Sequence, residues 1–203
     1  MSSPPALVVV LSGPSGAGKD TILRAALQAD AHGDKTLAGV VTAKTRAPRP
    51  GEIEGVHQIF LSDAQFDAQL EAGGFLEHAD VYGHRSGVPR DQVRALVDQG
   101  KIVCIRTDIQ GARTLRERIP QALLVFITVP DLATLEARLR GRAADSEADL
   151  QIRLKAAREE MAAAEEFDHV IVNHEGRESA AVGELLVLLA EERHRTGREP
   201  PTV

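Results

Sequence analysis

The sequence predicts an α/β fold in which a parallel sheet is flanked by helices. The apolar run at residues 7–11, with three consecutive valines, has the pattern of a strand buried on both faces. This run ends in a glycine-rich turn, after which apolar residues recur at helical spacing. Predicted strands and helices then alternate, except between Thr42 and Pro89, where the strands are short and irregular. We therefore expect a parallel core at about residues 6–41 and 90–195, with an inserted lobe at about 42–89.

The glycine-rich turn has the spacing of a phosphate-binding loop, G-x-x-x-x-G-K-[ST]. Three glycines let the backbone curl so that successive N–H groups point at an anion: Gly13, Gly16 and Gly18. Lys19 would reach the outer phosphates, and the start of the following helix adds to the attraction. Where the pattern has a Mg²⁺-binding Ser or Thr, the chain has Asp20, and Thr21 follows one residue late. The flanking strand and helix favour a phosphate cradle over a chance glycine-rich turn.

Composition and charge narrow the class of protein. The chain has 203 residues, 43% of them hydrophobic, and a formal net charge of −6, which argues against a nucleic-acid-binding face. The single cysteine, Cys104, lies in an apolar run and is predicted to be a buried structural thiol. The N-terminus lacks a basic region, and the apolar run after it is too short for a signal core or a membrane span. We therefore expect a soluble cytoplasmic protein with no membrane or nucleic-acid partner.

After the first helix, the next elements are a short strand and a rigid basic loop. The strand is predicted at residues 38–42. At residues 44–51, two prolines and a glycine forbid regular structure. Arg46 and Arg49 lie three residues apart on this loop, so that they could converge on one anion, although the loop by itself favours a solvated basic segment.

The other elements follow from apolar spacing and turn residues. Extended or apolar patterns predict strands at residues 75–81, 102–105, 123–129 and 170–172. Helical spacing predicts one helix after a capping box at Ser62, and others at residues 91–99, 112–118, 132–139, 150–166 and 180–193. Residues 82–89 are expected to form a loop, and the tail at 196–203 to fray. The charged run at 153–166 is interpreted as a solvated helix face.

One acidic residue stands at an edge of the predicted sheet. Asp108 follows the strand at 102–105, after Arg106 and Thr107. The carboxyl ends of parallel strands face the ligand crevice in open α/β sheets. We therefore expect Asp108 to serve function more than stability.

Six segments of the chain lie in the order and at the spacing of a known family's motifs. They are Ser12-Gly-Pro-Ser-Gly-Ala-Gly-Lys19, Thr45-Arg-Ala-Pro-Arg-Pro-Gly-Glu52, Gly74-Phe-Leu-Glu77, Asp108-Ile-Gln-Gly-Ala112, Arg138-Leu-Arg-Gly-Arg142 and Val170-Ile-Val-Asn173. With these motifs the chain resembles the guanylate kinase family over nearly its whole length. The resemblance implies a P-loop NTPase-type parallel sheet flanked by helices, an inserted GMP-binding lobe at about 42–89 and a helical lid at about 142–153. It also implies ATP-dependent phosphorylation of GMP to GDP with Mg²⁺, by a monomer or homodimer.

Carried over by position, the resemblance implies a role for each site residue. Residues on the ATP side are Gly13, Ser15, Gly16, Ala17, Gly18, Lys19, Asp20, Thr21, Arg138 and, near the adenine, Asn173. Residues on the GMP side are Arg46 and Arg49 for the phosphate, Thr42, Glu77 and Asp108 for the guanine, and Gln58 and Ser86. The catalytic cations are Lys19, Arg46, Arg142 and Arg153. Because donor and acceptor are both anionic, positioning and charge neutralisation suffice, and no strong general base is needed.

The chain departs from the family's pattern at several phosphate-holding positions. Gln58 and Ser86 stand where the family has tyrosines that hold the acceptor phosphate, and Val88 stands for a Ser or Thr. Arg106 replaces an acid, and Asp20 replaces the loop's Ser. The base-reading positions are kept, so the departures concern affinity for the acceptor phosphate or the identity of the acceptor.

We interpret the changes at Asp20 and Arg106 as one exchange, in which the acid has moved to the phosphate-binding loop. The strand that ends at Arg106 should lie beside the first strand. Asp20 would then either bind Mg²⁺ as a hard oxygen ligand or form an ion pair with Arg106. The alternative is two unrelated changes, with Arg106 turned to solvent.

Two other functions remain open at this point. The Gly-Lys-Asp form of the loop also resembles ribose 1,5-bisphosphate phosphokinases, which have a different phosphorylated acceptor, although Glu77, Arg46 and Arg49 would have less purpose there. The other is a non-catalytic guanylate kinase-like binding module. Such a module has no reason to keep an intact phosphate cradle.

Overall fold

The computed structural model describes residues 5–81, 83–140 and 147–203. The strands in these ranges are β1 (Leu7–Ser12), β2 (Leu37–Gly39), β3 (Ala43–Lys44), β4 (Ile59–Phe60), β5 (Phe75–Val81), β6 (His84–Pro89), β7 (Ile102–Arg106), β8 (Leu123–Thr128) and β9 (His169–Val172). The helices are α1 (Lys19–Ala31), α2 (Asp63–Glu71), α3 (Arg90–Asp98), α4 (Ile109–Arg118), α5 (Leu132–Arg140), α6 (Glu147–Ala162), continued by a 3₁₀ turn (Ala163–Glu166), and α7 (Glu178–Arg193).

Five strands form a parallel sheet in the order β2-β7-β1-β8-β9, which confirms the predicted fold class. β1 lies at the centre, so the loop that follows it opens at the carboxyl edge of the sheet. In the register of β1 and β7, Leu11 pairs with Arg106. The prediction that the strand ending at Arg106 lies beside the first strand is therefore confirmed.

Helices cover both faces of this sheet because β1 is apolar on both. Leu7, Val9 and Leu11 belong to a core cluster that includes residues of α1 and α7. Val8 and Val10 belong to a second cluster, with residues of α3 and α4. All five of these β1 side chains are at most 1% exposed, as expected for a strand buried on both faces.

Cys104 has the structural role that the sequence predicts. It lies on β7 in the first of these clusters and is 1% exposed. Burial raises the pKa of its thiol to about 12, with a smaller contribution from Asp30. A thiol with so high a pKa stays protonated and unreactive at neutral pH.

Residues 43–89 contain a second sheet of four strands in the order β4-β3-β6-β5. Helix α2 packs on it through Phe66, whose ring stacks on Phe75 with the ring centroids 4.5 Å apart. The predicted capping box is present, because the Ser62 side chain accepts from the Gln65 backbone and Gln65 reaches back to Ser62.

Two predictions for this region are wrong. The strand expected at residues 38–42 is divided: β2 pairs with β7 in the first sheet, and β3 begins one residue after Thr42 in the second. The loop expected at 82–89 is instead β6, which pairs antiparallel with β5. Gly83, just before β6, has φ +77°, the left-handed conformation that such a reversal needs.

The C-terminal tail does not fray as predicted. The carbonyl of Val203 accepts a hydrogen bond from Arg94 at 3.2 Å, and its side chain packs against the second core cluster. Arg198 pairs with the buried Glu192 at 2.7 Å. The tail is therefore fixed by its last residue and by an ion pair. None of the helices in the described ranges is long and apolar enough to cross a membrane.

Candidate active site

The phosphate-binding loop joins β1 to α1 and has a shape that requires glycine. Gly13 has φ +135°, and a Cβ added there would lie 2.0 Å from the carbonyl oxygen of Ile127 on β8. Gly18 caps α1 with φ +95°, and a Cβ there would lie 2.4 Å from the Asn173 side-chain nitrogen. The backbone thus runs too close to the β8 backbone at Gly13, and to the Asn173 side chain at Gly18, for a side chain at either position.

Lys19 is held inside this loop. Its ammonium donates to the carbonyl of Gly13 and, at 3.0 Å, to that of Pro14. Burial lowers the pKa of Lys19 to about 8, although Glu160 raises it in part. A bound phosphate would favour the charged form, as any nearby anion does for an ammonium.

Asn173 and Arg138 tie the loop to the far side of the sheet. The Asn173 Nδ2 donates to the carbonyl of Ala17 at 2.8 Å, and Arg138 donates to the carbonyl of Asn173 at 3.1 Å. Asn173 is 2% exposed, and its Oδ1 has no hydrogen-bond partner among the described residues. An acceptor left unsatisfied beside the phosphate loop is suited to an exocyclic amine such as that of adenine.

Helix α6 contributes two charged residues to the same loop. Arg153 donates to the Ser15 hydroxyl at 3.1 Å, and the Glu160 carboxylate accepts from the Ser15 backbone N–H at 3.1 Å. Burial raises the pKa of Glu160. The interpretation of 153–166 as a solvated face is therefore wrong for Glu160, which faces the phosphate loop. Arg142 lies outside the described residues.

Asp20 and Arg106 form the predicted ion pair. The Arg106 Nε lies 2.7 Å from an Asp20 carboxylate oxygen. The pair joins the first turn of α1 to the end of β7, at the edge where phosphates would bind. The alternative, in which Arg106 turns to solvent without this partner, is wrong. Thr21 follows on the same turn with an exposed side chain.

The residues predicted for the acceptor phosphate line one cavity of about 640 Å³. Arg46 forms a bidentate pair with Glu52, at 2.7 and 2.6 Å, and the Arg49 backbone N–H donates to the same carboxylate at 2.7 Å. The hydrogen bond from Arg46 holds the pKa of Glu52 down at about 2. Glu52 therefore stays ionised and fixes the loop that carries both arginines, as a bidentate pair does.

Gln58 and Ser86, which stand at the positions of the family's tyrosines, each accept a hydrogen bond from a residue in or next to β3. Thr42 donates to the Gln58 carbonyl oxygen at 2.7 Å, and Lys44 donates to the Ser86 hydroxyl at 3.0 Å. Both pairs line the cavity. Val88, the third changed position, is 1% exposed and packs in the core instead.

Glu77 and Asp108 meet where β5 contacts α4. Asp108 caps the helix by accepting from the Gly111 N–H at 2.8 Å, so it has a structural role besides the predicted functional one. Glu77 is 6% exposed, and a Cβ at position 111 would lie 3.0 Å from its carboxyl group. Burial, and then the charge of Asp108, raise the pKa of Glu77 to about 7, while Lys44 lowers it.

The Glu77 carboxylate has no hydrogen-bond or ion-pair partner within the described ranges. A buried carboxylate without donors is costly to ionise. Such a group is consistent with a ligand that brings its own N–H donors. Glu77 and Asp108, which are predicted to read the base, are not among the residues that line the 640 Å³ cavity, whereas Thr42 is.

Sequence reasoning missed two residues of this site. Lys44 lies two residues from both Thr42 and Arg46, and all three line the same cavity, so its position between two predicted site residues is a signal that could have found it. Glu160 had no such signal. Its contact with Ser15 joins residues 145 positions apart, on elements that only the tertiary fold brings together.

The donor set suits Mg²⁺ that binds together with substrate phosphates. No three His, Cys, Asp or Glu side chains of the described residues cluster as metal ligands. Mg²⁺ in phosphoryl-transfer sites needs only one or two carboxylates because phosphates and water supply the other ligands. Asp20 offers such a carboxylate next to Lys19, with its side chain 72% exposed.

Comparison with known proteins gives consistent similarities. The family model described as guanylate kinase matches residues 6–184. The chain is 45% identical to a guanylate kinase of Rubrobacter xylanophilus over 166 residues, 82% of this chain and 85% of the relative. It is 41% identical to one of Idiomarina loihiensis over 190 residues, 93% and 90% of the two chains. Its structure superposes on a guanylate kinase from Anaplasma phagocytophilum with a TM-score of 0.73 and 28% identity, covering 98% of this chain and 91% of that one.

Proposed function

The chain belongs to the guanylate kinase family, and on that premise we propose how its residues divide the work of transferring a phosphoryl group from ATP to GMP. The products are GDP and ADP, so the protein is an ATP:GMP phosphotransferase of purine nucleotide metabolism. The observation that carries the assignment of the acceptor is the buried Glu77 carboxylate beside Asp108. Guanine presents N1–H and N2–H₂ donors, which two carboxylates can accept, whereas adenine lacks that arrangement.

On the donor side, the loop from Gly13 to Gly18 holds the phosphates of ATP with its backbone N–H groups. Lys19 exchanges the carbonyls of Gly13 and Pro14 for phosphate oxygens. Arg138 and Asn173 support the loop, and the free Oδ1 of Asn173 accepts from the adenine amine. Arg153, on α6, and Arg142 would neutralise charge on the transferred group; of the predicted lid at about 142–153, residues 142–146 lie outside the described residues.

On the acceptor side, residues 42–89 act as the GMP-binding lobe. Arg46, already oriented by Glu52, and Arg49 hold the phosphate of GMP. Thr42 contributes to the guanine side with Glu77 and Asp108. Gln58 and Ser86 are donors to the acceptor phosphate in place of the family's tyrosines.

Catalysis consists of alignment and charge neutralisation. The acceptor is already a phosphate anion, so no side chain has to remove a proton from it at neutral pH. Asp20 would hold Mg²⁺ together with the substrate phosphates, and the ion would supply positive charge there when bound. Lys19, Arg46, Arg142 and Arg153 stabilise the negative charge on the transferred phosphoryl oxygens, and the enclosed loop makes these contacts stronger than they would be in water.

All of these residues lie on one chain, so a single copy carries the activity whether the protein is a monomer or a homodimer. Its cytoplasmic location stays a prediction from the sequence.

The test is an acceptor screen with MgATP against GMP, dGMP, AMP, UMP and ribose 1,5-bisphosphate. We expect GMP to be the preferred acceptor and AMP and UMP to react poorly. Phosphorylation of ribose 1,5-bisphosphate but not of GMP would move the chain to the phosphokinase alternative. Absence of transfer to any acceptor, with the fold verified, would favour a binding module.

A further inference from the structure

Lys44 is a half-buried cation that faces the acceptor cavity. It lies on β3, a strand of two residues, in which Ala43 is fully buried in the lobe's apolar cluster. Because side chains alternate along a strand, Lys44 points the opposite way from Ala43. There it lines the cavity together with Arg46 and Arg49.

Lys44 has no acidic partner in the described part of the chain, whereas three arginines that line the same cavity are each paired with a carboxylate. Arg46 pairs with Glu52, Arg85 with Asp63 and Asp67, and Arg106 with Asp20. The ammonium of Lys44 donates to the Ser86 hydroxyl at 3.0 Å, and no carboxylate of the described residues lies within ion-pair distance of it. A half-buried ammonium without a counter-charge is unfavourable unless an anion joins it.

The charges around Lys44 also favour an anion bound next to it. Its pKa is lowered first by burial and then by the positive charges of Arg106 and Arg46. Arg49 adds to this effect, and only Glu77 opposes it. Several cations therefore act on one region of the cavity, and a dianion bound there would be attracted by all of them.

The hydrogen-bond geometry leaves donors available at this point. The Ser86 oxygen accepts from Lys44, so its own hydroxyl proton is free to donate elsewhere. The ammonium of Lys44 has further N–H donors beyond the one directed at Ser86. The pair therefore offers both an O–H and an N⁺–H to a ligand in the cavity.

We propose that Lys44 and Ser86 together bind the phosphate of the acceptor nucleotide, with Lys44 supplying a positive charge where tyrosines supply neutral hydroxyls in the family. This inference rests on the proposed function, since it names an additional ligand for the acceptor phosphate. Lys44 thereby selects a phosphorylated acceptor over its nucleoside. Arg46 and Arg49 then share the dianion with a third cation.

The experiment compares Lys44→Met with the wild-type protein by calorimetric titration of GMP, guanosine and ATP. We expect the dissociation constant of GMP to rise about 10- to 100-fold, the range for loss of a charge-assisted hydrogen bond. The dissociation constants of guanosine, which lacks the phosphate, and of ATP should stay within about twofold. Lys155→Met, a change at an exposed lysine of α6, is the matched control.

Two further variants separate ligand binding from structural support. Lys44→Arg keeps the charge and should recover most of the GMP affinity. Ser86→Ala should weaken GMP, and its effect should not add to that of Lys44→Met because the two side chains act as one unit. Thermal unfolding should place the variants close to wild type.

The outcomes distinguish this inference from the function on which it rests. Equal weakening of GMP and guanosine by Lys44→Met, or no weakening of GMP, would overturn the role of Lys44 while leaving GMP phosphorylation intact. If the wild-type protein transfers no phosphoryl group to GMP, the proposed function fails first, independently of any Lys44 variant.

Discussion

Replacing Glu77 by Gln should stabilise the protein at alkaline pH and weaken its binding of GMP. Glu77 is 6% exposed, and its pKa is raised from 4.5 to about 7 by burial and by Asp108. Between these two pH values the unfolded chain ionises Glu77 freely while the folded chain resists ionisation. Stability contributed by the protonated carboxyl is therefore full below pH 4.5 and is lost as the pH rises through about 7.

The size of this effect follows from the shift. A pKa raised by this amount corresponds to about 3 kcal/mol of folding free energy, as an order of magnitude. Glutamine cannot ionise, so the variant avoids the loss. The stability of Glu77→Gln relative to wild type should rise by up to about 3 kcal/mol between pH 4 and pH 8.5. The amide can also change the free energy of unfolding by an amount that does not depend on pH. That amount is the same at both pH values, so it cancels when the two differences between variant and wild type are subtracted.

Urea unfolding at the two pH values measures the change in stability, and titration of GMP and ATP measures binding. GMP should bind about 10- to 100-fold more weakly to the variant, because an amide offers guanine one neutral accepting oxygen in place of a charged carboxylate with two. ATP affinity should not change. Glu71→Gln, on an exposed face of α2, is the control for the loss of one acidic residue. A relative stability that does not vary with pH would refute the burial argument, and equal losses for GMP and ATP would refute the guanine assignment.

Three further predictions concern the donor side. Lys19→Ala should lower turnover by about 10³-fold or more with the fold intact by circular dichroism, since electrostatic contacts to the transferred group are the largest catalytic contribution; near-normal turnover would contradict the loop assignment. The effects of Asp20→Ser and Arg106→Ala on the Mg²⁺ dependence of activity should be non-additive, because the two side chains are paired at 2.7 Å. If the two effects simply add, the changes at positions 20 and 106 are not one exchange of charge. Glu160→Gln should tighten ATP binding several-fold in a titration and leave GMP binding unchanged. The Glu160 carboxylate accepts from a Ser15 N–H that a phosphate oxygen would otherwise use. Weaker ATP binding by the variant would show instead that Glu160 supports the loop.

The sequence predicted those parts of the site that depend on local pattern and on strand adjacency. A strand of valines, a glycine-rich turn and a helix start are contiguous, so the phosphate loop needs no long-range information. The Asp20–Arg106 pair could be predicted because both residues lie at the carboxyl edge of strands expected to be neighbours. Topology rules fix that edge without coordinates.

Other features depend on tertiary contacts that the local sequence pattern does not encode. Residues 38–42 read as one apolar strand, but the chain changes sheets within them, and the pairing partners decide where each strand ends. β6 contains Gly87 and Pro89, which resemble loop residues until β5 is placed beside them. The burial of Glu160 against Ser15 depends on how α6 lies over the loop.

The tie between Asn173 and Ala17 has a consequence for how the protein is made. This hydrogen bond joins residues 156 positions apart, and Gly18 packs against the same asparagine. During synthesis the glycine-rich loop leaves the ribosome 156 positions before Asn173, the residue that follows β9. A nascent chain that stops before β9 thus carries the complete phosphate-binding motif without the side chain that fixes its shape. Competence to bind nucleotide is then acquired only after β9 is made, in a step that couples segments far apart in the sequence.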